Sequence, residues 1–156
     1  MRLLAIDPGP KFSAYVIWDG TAILEHGKVP SDELLRFEAG KMLDACAIEM
    51  IACYGMPVGE EVFETCVWIG RYIERWRSYT CNLPHRLITR GAVKMHLCHT
   101  MKAKDANIRQ ALIDRLGAPG TKKAPGATFG LAGDEWAALA VAITTWDALP
   151  WPGEMR

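Results

Sequence analysis

An apolar run that stops on a carboxylate constrains this chain more than any other feature. Leu3-Leu4-Ala5-Ile6 has the composition of a buried strand, Asp7 ends it, and Pro8-Gly9-Pro10 prevents its continuation. Such a strand delivers Asp7 to the carboxyl edge of a sheet, where open α/β folds build their sites. An ordinary Asp-Pro-Gly turn would use the same residues. The meaning of Asp7 therefore depends on what the rest of the chain brings to that edge.

Downstream, strand and helix signals alternate. Residues 2–7 read as the first strand. Phe12 to Trp18 alternates loosely and ends in Asp19-Gly20, a hairpin signal, and Thr21 to Val29 reads as the returning strand. The chain thus opens as an antiparallel meander. Ser31 is placed to cap a helix with Asp32 and Glu33 in its first turn and Leu34, Leu35, Phe37 and Met42 on its apolar side. Ala45 to Ile51 is a fourth strand interrupted by Glu49, and 54–59 is a loop. From Glu60 to about Ser78 the spacing is helical, with Val62, Cys66, Ile69 and Ile73 as its stripe.

After a break at Asn82-Leu83-Pro84, His85 to Ile88 is a short fifth strand, and Thr89 can cap a helix through Ala92, Val93 and Leu97. Lys102 to Leu116 is amphipathic and Gly117 stops it. Residues 118–133, rich in Gly, Pro, Thr and Lys, are expected to form a flexible surface loop. Asp134 then caps a nearly all-apolar helix over 135–148, which must be buried against the sheet. The tail after Pro150 is irregular. This order predicts an α/β fold. Its mixed sheet is flanked by helices, and right-handed crossovers set strands 4 and 5 parallel to strand 1.

With 156 residues, half of them hydrophobic, a single domain over 1–156 with a real core is expected. No apolar run is long enough to span a bilayer, and the N-terminus lacks the form of a signal peptide. The five cysteines, Cys46, Cys53, Cys66, Cys81 and Cys98, are odd in number and scattered. They read as reduced thiols, mostly in the core, of a cytoplasmic protein. Residues 117–133 contain no Gly-Lys-Ser/Thr ending, which excludes a nucleotide P-loop and a nucleotide cofactor bound that way. His96, Cys98 and His99 lack a second ligand cluster and read as incidental to a helix. The tryptophans are expected in the core or at a dimer interface, and Phe12 as a core strand aromatic in preference to a base-stacking one.

Glu49 is the informative residue. A carboxylate inside a buried parallel strand is costly unless it is paired or ligated. If strand 4 runs beside strand 1, Glu49 and Asp7 share an edge, and Asp134 at the head of the last helix can reach it. Three carboxylates without adjacent cations repel one another, and a hard divalent cation such as Mg²⁺ or Mn²⁺ relieves this. Two such ions can carry phosphodiester hydrolysis. Taken singly, Asp7 serves as a turn former, Asp134 as an N-cap, Glu49 as half of an ion pair and Glu135 as a dipole partner; together they point to a metal site.

The three segments also resemble a family. Ala5-Ile6-Asp7-Pro8-Gly9-Pro10, Ala47-Ile48-Glu49-Met50 and Gly133-Asp134-Glu135-Trp136-Ala137-Ala138-Leu139-Ala140-Val141-Ala142 are similar, in order, to motifs of RuvC-type Holliday junction resolvases. That family belongs to the RNase H-like nuclease superfamily, and the chain looks most like small phage-encoded members. Arg90, Val93 and Lys94 resemble its segment after the fifth strand, and Lys104-Asp105-Ala106-Asn107-Ile108 its lysine-containing helix start. The resemblance implies a five-stranded mixed sheet of RNase H-like fold, a homodimer, and Mg²⁺-dependent cutting of branched DNA. That cutting leaves a 5′-phosphate and a 3′-hydroxyl in the host cytoplasm. Asp7, Glu49 and Asp134 would be the catalytic and metal-binding acids, with Lys104 as the active-site cation. The family often has a second acid one turn into the last helix, where this chain has Ala137. The remaining ligand is Glu135, Asp105, water or none.

Eighteen basic and eighteen acidic residues give zero net charge, so a DNA-binding face must be local. Lys102, Lys104, Arg109 and Arg115 lie on one predicted helix, Lys122 and Lys123 precede Asp134, and Arg86, Arg90 and Lys94 cluster earlier. Arg90, Lys94, Lys102, Lys104, Arg109, Lys122 and Lys123 are the expected DNA contacts, through phosphates that position without specifying sequence. Two other functions remain open. One is an RNase H-like nuclease acting on flaps or RNA–DNA hybrids; the other is a junction-binding protein that does not cut.

Overall fold

The structure, a computed structural model, describes residues 1–37, 42–53, 55, 57–81, 83–148 and 150. Five strands form its main sheet: β1 (Leu3–Asp7), β2 (Phe12–Trp18), β3 (Ile23–Pro30), β4 (Ala45–Met50) and β5 (His85–Thr89), in the order β3-β2-β1-β4-β5. β1, β2 and β3 are antiparallel neighbours, while β4 runs parallel to β1 and β5 parallel to β4. The helices are α1 (Ser31–Phe37), α2 (Glu60–Thr80), α3 (Arg90–Cys98), α4 (Asp105–Leu116) and α5 (Glu135–Asp147). A small hairpin, β6 (Gly120–Thr121) and β7 (Ala124–Pro125), lies between α4 and α5. Among the described residues no helix is long and apolar enough to cross a membrane.

Alternating side chains sort the core into two layers. Leu4, Ile6, Cys46 and Ile48 pack with Leu34, Ile69, Tyr72 and Trp76 beneath α1 and α2. Leu3, Ala5, Ala45 and Ala47 face the other way, toward α5. Both faces of the central strands are covered, which is why 3–6 reads as an unbroken apolar run. On the α5 side the sheet presents Ala5, Ala14, Ala45 and Ala47, and the helix answers with Ala138, Ala140 and Ala142, so the two backbones approach closely. Trp76 is fully buried in the opposite layer; truncating it to alanine would cost about 3–5 kcal/mol.

This alternation also aims the two acids. Asp7 is two residues beyond Ala5, and Glu49 two beyond Ala47, so both leave the sheet on the α5 side.

Several local expectations are corrected. Ser31 does not cap α1; its buried hydroxyl donates to the Gly9 carbonyl and bonds Ser13. Met42 is exposed and outside α1, and the side chain of Phe37 lies outside the described structure. The buried stripe of α2 is Thr65, Ile69, Tyr72 and Trp76, because the two large rings take the core positions and turn Cys66 to solvent. Cys46 is buried, whereas Cys53, Cys66 and Cys81 are exposed, so the cysteines are not mostly core. Phe12 is exposed at the start of β2. Trp18, Trp76 and Trp136 are core; Trp151 lies outside the described residues.

Lys102 and Lys104 precede α4, which begins at Asp105. The segment 118–133, expected as a loop, carries the β6–β7 hairpin and buries Thr128 and Leu131. Gly126 explains its tightness: a Cβ there would stand 2.0 Å from the Ala118 carbonyl oxygen. Asn82, Tyr54, Met56 and the tail from 151 lie outside the described residues. Thr89 does cap α3, accepting from the Ala92 amide at 3.2 Å, and Gly117 ends α4 with φ +94°.

Candidate active site

The parallel pairing sets Ile6 opposite Ile48, so Asp7 and Glu49 follow side by side at the carboxyl edge. Pro8-Gly9-Pro10 then turns the chain away through a buried hydroxyl network. Ser13 Oγ accepts from the Gly9 amide at 3.2 Å and bonds Ser31 Oγ and Tyr72 Oη, each at 2.9 Å; Trp68 Nε1 donates to the Pro10 carbonyl at 2.9 Å. Gly9 is required here, since a Cβ would lie 2.4 Å from the Phe12 carbonyl oxygen. Sequence reasoning missed Ser13, Ser31, Tyr72 and Trp68, because only the fold joins β2, α1 and α2 to the turn.

Asp7, Glu49, Arg90, Asp105, Arg109, Asp134 and Ala137 are among the residues around a depression of about 170 Å³. A second depression of about 300 Å³ shares Asp7, Glu49 and Arg90 and continues past Pro8, Met50 and Thr65. The acid pair therefore lies along a groove open on both sides.

Burial, followed by the charges of Glu49 and Asp134, pushes the Asp7 carboxyl up to about 8, and Arg90 only partly opposes this. A hydrogen bond between the Asp7 and Glu49 carboxyls favours the protonated form of Asp7. Burial also raises Glu49, against the lowering effects of Arg90 and of that hydrogen bond. The two titrate as a pair that retains a proton. Arg90, at the start of α3, bonds Asp105 through Nη2 and places Nη1 3.6 Å from Glu49 Oε2. Its Nη1 is buried without a hydrogen-bond partner in the structure and lies on the Glu49 side of the guanidinium.

Asp134 does not cap α5. It has helical φ and ψ, and its Oδ2 takes a 2.6 Å bond from Lys28 Nζ. Lys28 is a second residue that the sequence did not signal, since its partner is 106 positions away. Glu135 is not brought to the depression; its Oε2 accepts from the Ala132 amide at 2.9 Å and meets His26 Nδ1 at 3.1 Å. Lys104 also stands outside the depression, exposed, with its amide donating to Asn107. The cation that reaches it from α4 is Arg109, whose guanidinium lies 4.8 Å from the Trp136 ring centroid. Lys94 is half-buried on α3, and Lys102 is exposed before α4. Lys122 and Lys123 form the exposed tip of the β6–β7 hairpin. His96 bonds Asp147 at 2.8 Å, an inter-helix contact.

The donor set is all oxygen, which suits Mg²⁺ or Mn²⁺. As arranged, no three acid, histidine or cysteine side chains among the described residues stand close enough to hold an ion. Asp7 and Glu49 supply two carboxylates, and Mg²⁺ commonly takes one or two, completing its shell with water and substrate phosphate. On that count the residues fit such an ion, with Asp134 on the rim.

No protein-family model matches the sequence, and no curated protein does. Solved structures do match. The Thermus thermophilus RuvC structure aligns over 92% of this chain and 92% of its own, at 18% identity and a TM-score of 0.66. T. thermophilus RuvC in complex with Holliday junction substrate aligns over the same shares, at 17% identity and a TM-score of 0.70. The chain has the RuvC fold.

Proposed function

We propose that this chain is a single-domain, metal-dependent endonuclease that resolves four-way or other branched DNA, working as a homodimer in the cytoplasm. The carrying observation is the Asp7–Glu49 pair, set side by side at the carboxyl edge of parallel β1 and β4 in an open groove, with Asp134 on its rim. The fold is that of a protein whose solved complex contains a Holliday junction substrate, which favours branched DNA over other nucleic acids.

Asp7 and Glu49, with Asp134, would hold Mg²⁺ or Mn²⁺. When bound, the ion supplies Lewis-acid polarisation of a phosphate and a lowered water pKa. The chain's own residues do the rest. Asp7 would release its carboxyl proton to solvent on ligating such an ion. Arg109, stacked on Trp136, donates to non-bridging phosphate oxygens and orients the scissile bond, while Arg90 holds Glu49 and Asp105 in place. The groove admits a nucleic-acid strand along the pair, and Lys94, Lys102, Lys104, Lys122 and Lys123 hold flanking phosphates outside it.

The test is cleavage of a four-way junction in Mg²⁺ beside a flap and an RNA–DNA hybrid. Asp7→Asn and Glu49→Gln are expected to abolish cutting and to keep junction binding; full activity in either variant refutes the assignment. Ala137, in the depression where an acid would add a ligand, favours a second reading in which the protein binds junctions without turnover. Binding without cutting in Mn²⁺ would establish that alternative.

A further inference from the structure

We propose that Lys28 is a positioning residue: it holds Asp134 away from the Asp7–Glu49 pair and yields it when a substrate phosphate takes the lysine. The third carboxylate then becomes available to the ion only with nucleic acid in place. This rests on the reading of the site as a divalent-metal nuclease centre.

The sheet register carries the inference. Asp7 stands opposite Ala14, and Ala14 stands opposite Lys28. The three occupy one row across β1, β2 and β3, on the same face, with strands about 4.8 Å apart. The residue between acid and lysine is an alanine, so nothing bulky separates them. Lys28 Nζ donates to Asp134 Oδ2 at the head of α5, at 2.6 Å. While that contact stands, the third corner of the site is incomplete, consistent with no three ligating side chains converging among the described residues.

The pair is also easy to exchange. Lys28 is 47% exposed and Asp134 55%, so both meet solvent, and pairs of this kind are worth little. Arg90, by contrast, is less exposed and engages two carboxylates, Glu49 and Asp105. An incoming phosphate at the rim therefore competes most readily for Lys28.

The experiment measures Mn²⁺ binding to the full chain by electron paramagnetic resonance, alone and with a non-cleavable phosphorothioate junction whose own Mn²⁺ binding is subtracted. Wild type is expected to bind Mn²⁺ weakly alone and more tightly with the junction. Lys28→Met should bind about two- to fivefold more tightly than wild type without DNA and gain less from the junction. Lys28→Arg should behave as wild type. In an Asp134→Asn background, Lys28→Met should have no effect, which separates action through Asp134 from simple removal of a charge. Melting curves establish that each variant folds; if Lys28→Met does not, Lys28→Gln replaces it. Equal DNA-free affinity in wild type and Lys28→Met, or an undiminished effect in Asp134→Asn, overturns the proposal alone. Absence of Mn²⁺ binding by wild type in both states overturns the metal-centre reading with it.

Discussion

Asp7 and Glu49 stand side by side at the carboxyl edge of β1 and β4, and the pair retains a proton because burial raises both acids. For Asp7 the shift is from 3.8 to about 8. A carboxyl whose pKa is raised on folding contributes stability that is full below about pH 4 and is lost as pH rises through about 8. Metal-free protein should therefore melt lower at pH 8.5 than at pH 6, by on the order of 2 kcal/mol, or roughly 4–8 °C. Asp7→Asn, which keeps a donor toward Glu49 and has no proton to lose, should flatten the profile and melt above wild type at pH 8.5. Melting curves in EDTA across this range check it, and a flat wild-type profile would refute it.

The same proton sets the pH dependence of metal binding. An ion taken up by Asp7 and Glu49 must displace it, so binding releases a proton and tightens with pH. Mg²⁺ should raise the melting temperature more at pH 8.5 than at pH 6. Calorimetry in two buffers of different ionisation enthalpy should detect the released proton at pH 7.

Arg90 compensates two carboxylates. Arg90→Met should leave Glu49 without its opposing charge, raise its pKa further and cost about 1–3 kcal/mol in urea unfolding. Arg90→Lys restores a charge without the guanidinium fork. It should recover part of the stability and little of the junction affinity; full recovery of both would argue against a fork-specific role.

Lys122 and Lys123 sit at the tip of a hairpin packed tightly around Gly126, and salt dependence tests them as the proposed DNA contacts. If each neutralises one phosphate, replacing both by alanine should make the log–log salt dependence of junction binding shallower by about 1.8, at about 0.9 per contact. An unchanged slope would mean that neither touches the backbone.

The acids of the site and its two arginines, Arg90 and Arg109, were legible in the sequence; Lys28 was not. Asp7 could be placed because an apolar run and a Pro-Gly-Pro stop fix where the strand ends. Glu49 could be placed because a charge in a buried strand needs a partner. Asp134 could be placed at a helix start, but not its bond to Lys28, which depends on the three-strand register through Ala14. The resemblance points to Lys104 as the active-site cation, whereas α4 turns Arg109 onto Trp136 at the depression, a placement that helical spacing alone does not give. Only Ile69 of the expected α2 stripe lies in the core, because Tyr72 and Trp76 fill the positions beside it and turn Cys66 outward. Glu135 carries the same charge as its neighbour Asp134, and only the folded 130–133 segment and His26 show that it has structural partners.

Ala137 offers the most direct test of how complete the acid set is. It lines the depression three residues after Asp134, on the neighbouring face of α5. An aspartate there would sit in the first turn of the helix, where the dipole favours a negative charge. It would also face Asp7, Glu49 and Asp134, where burial and then the charges of Glu49 and Asp134 already raise Asp7. Without metal, Ala137→Asp should therefore melt below wild type at pH 8.5, and the difference should narrow toward pH 5 as the cluster takes up protons. With metal the sign reverses: a further oxygen ligand should tighten Mn²⁺ binding by about tenfold, or about 1.4 kcal/mol, and increase junction cleavage. Lower stability without tighter Mn²⁺ binding would place the new carboxylate beside the ion's position and not on it, and would leave Asp7, Glu49 and Asp134 as the whole set.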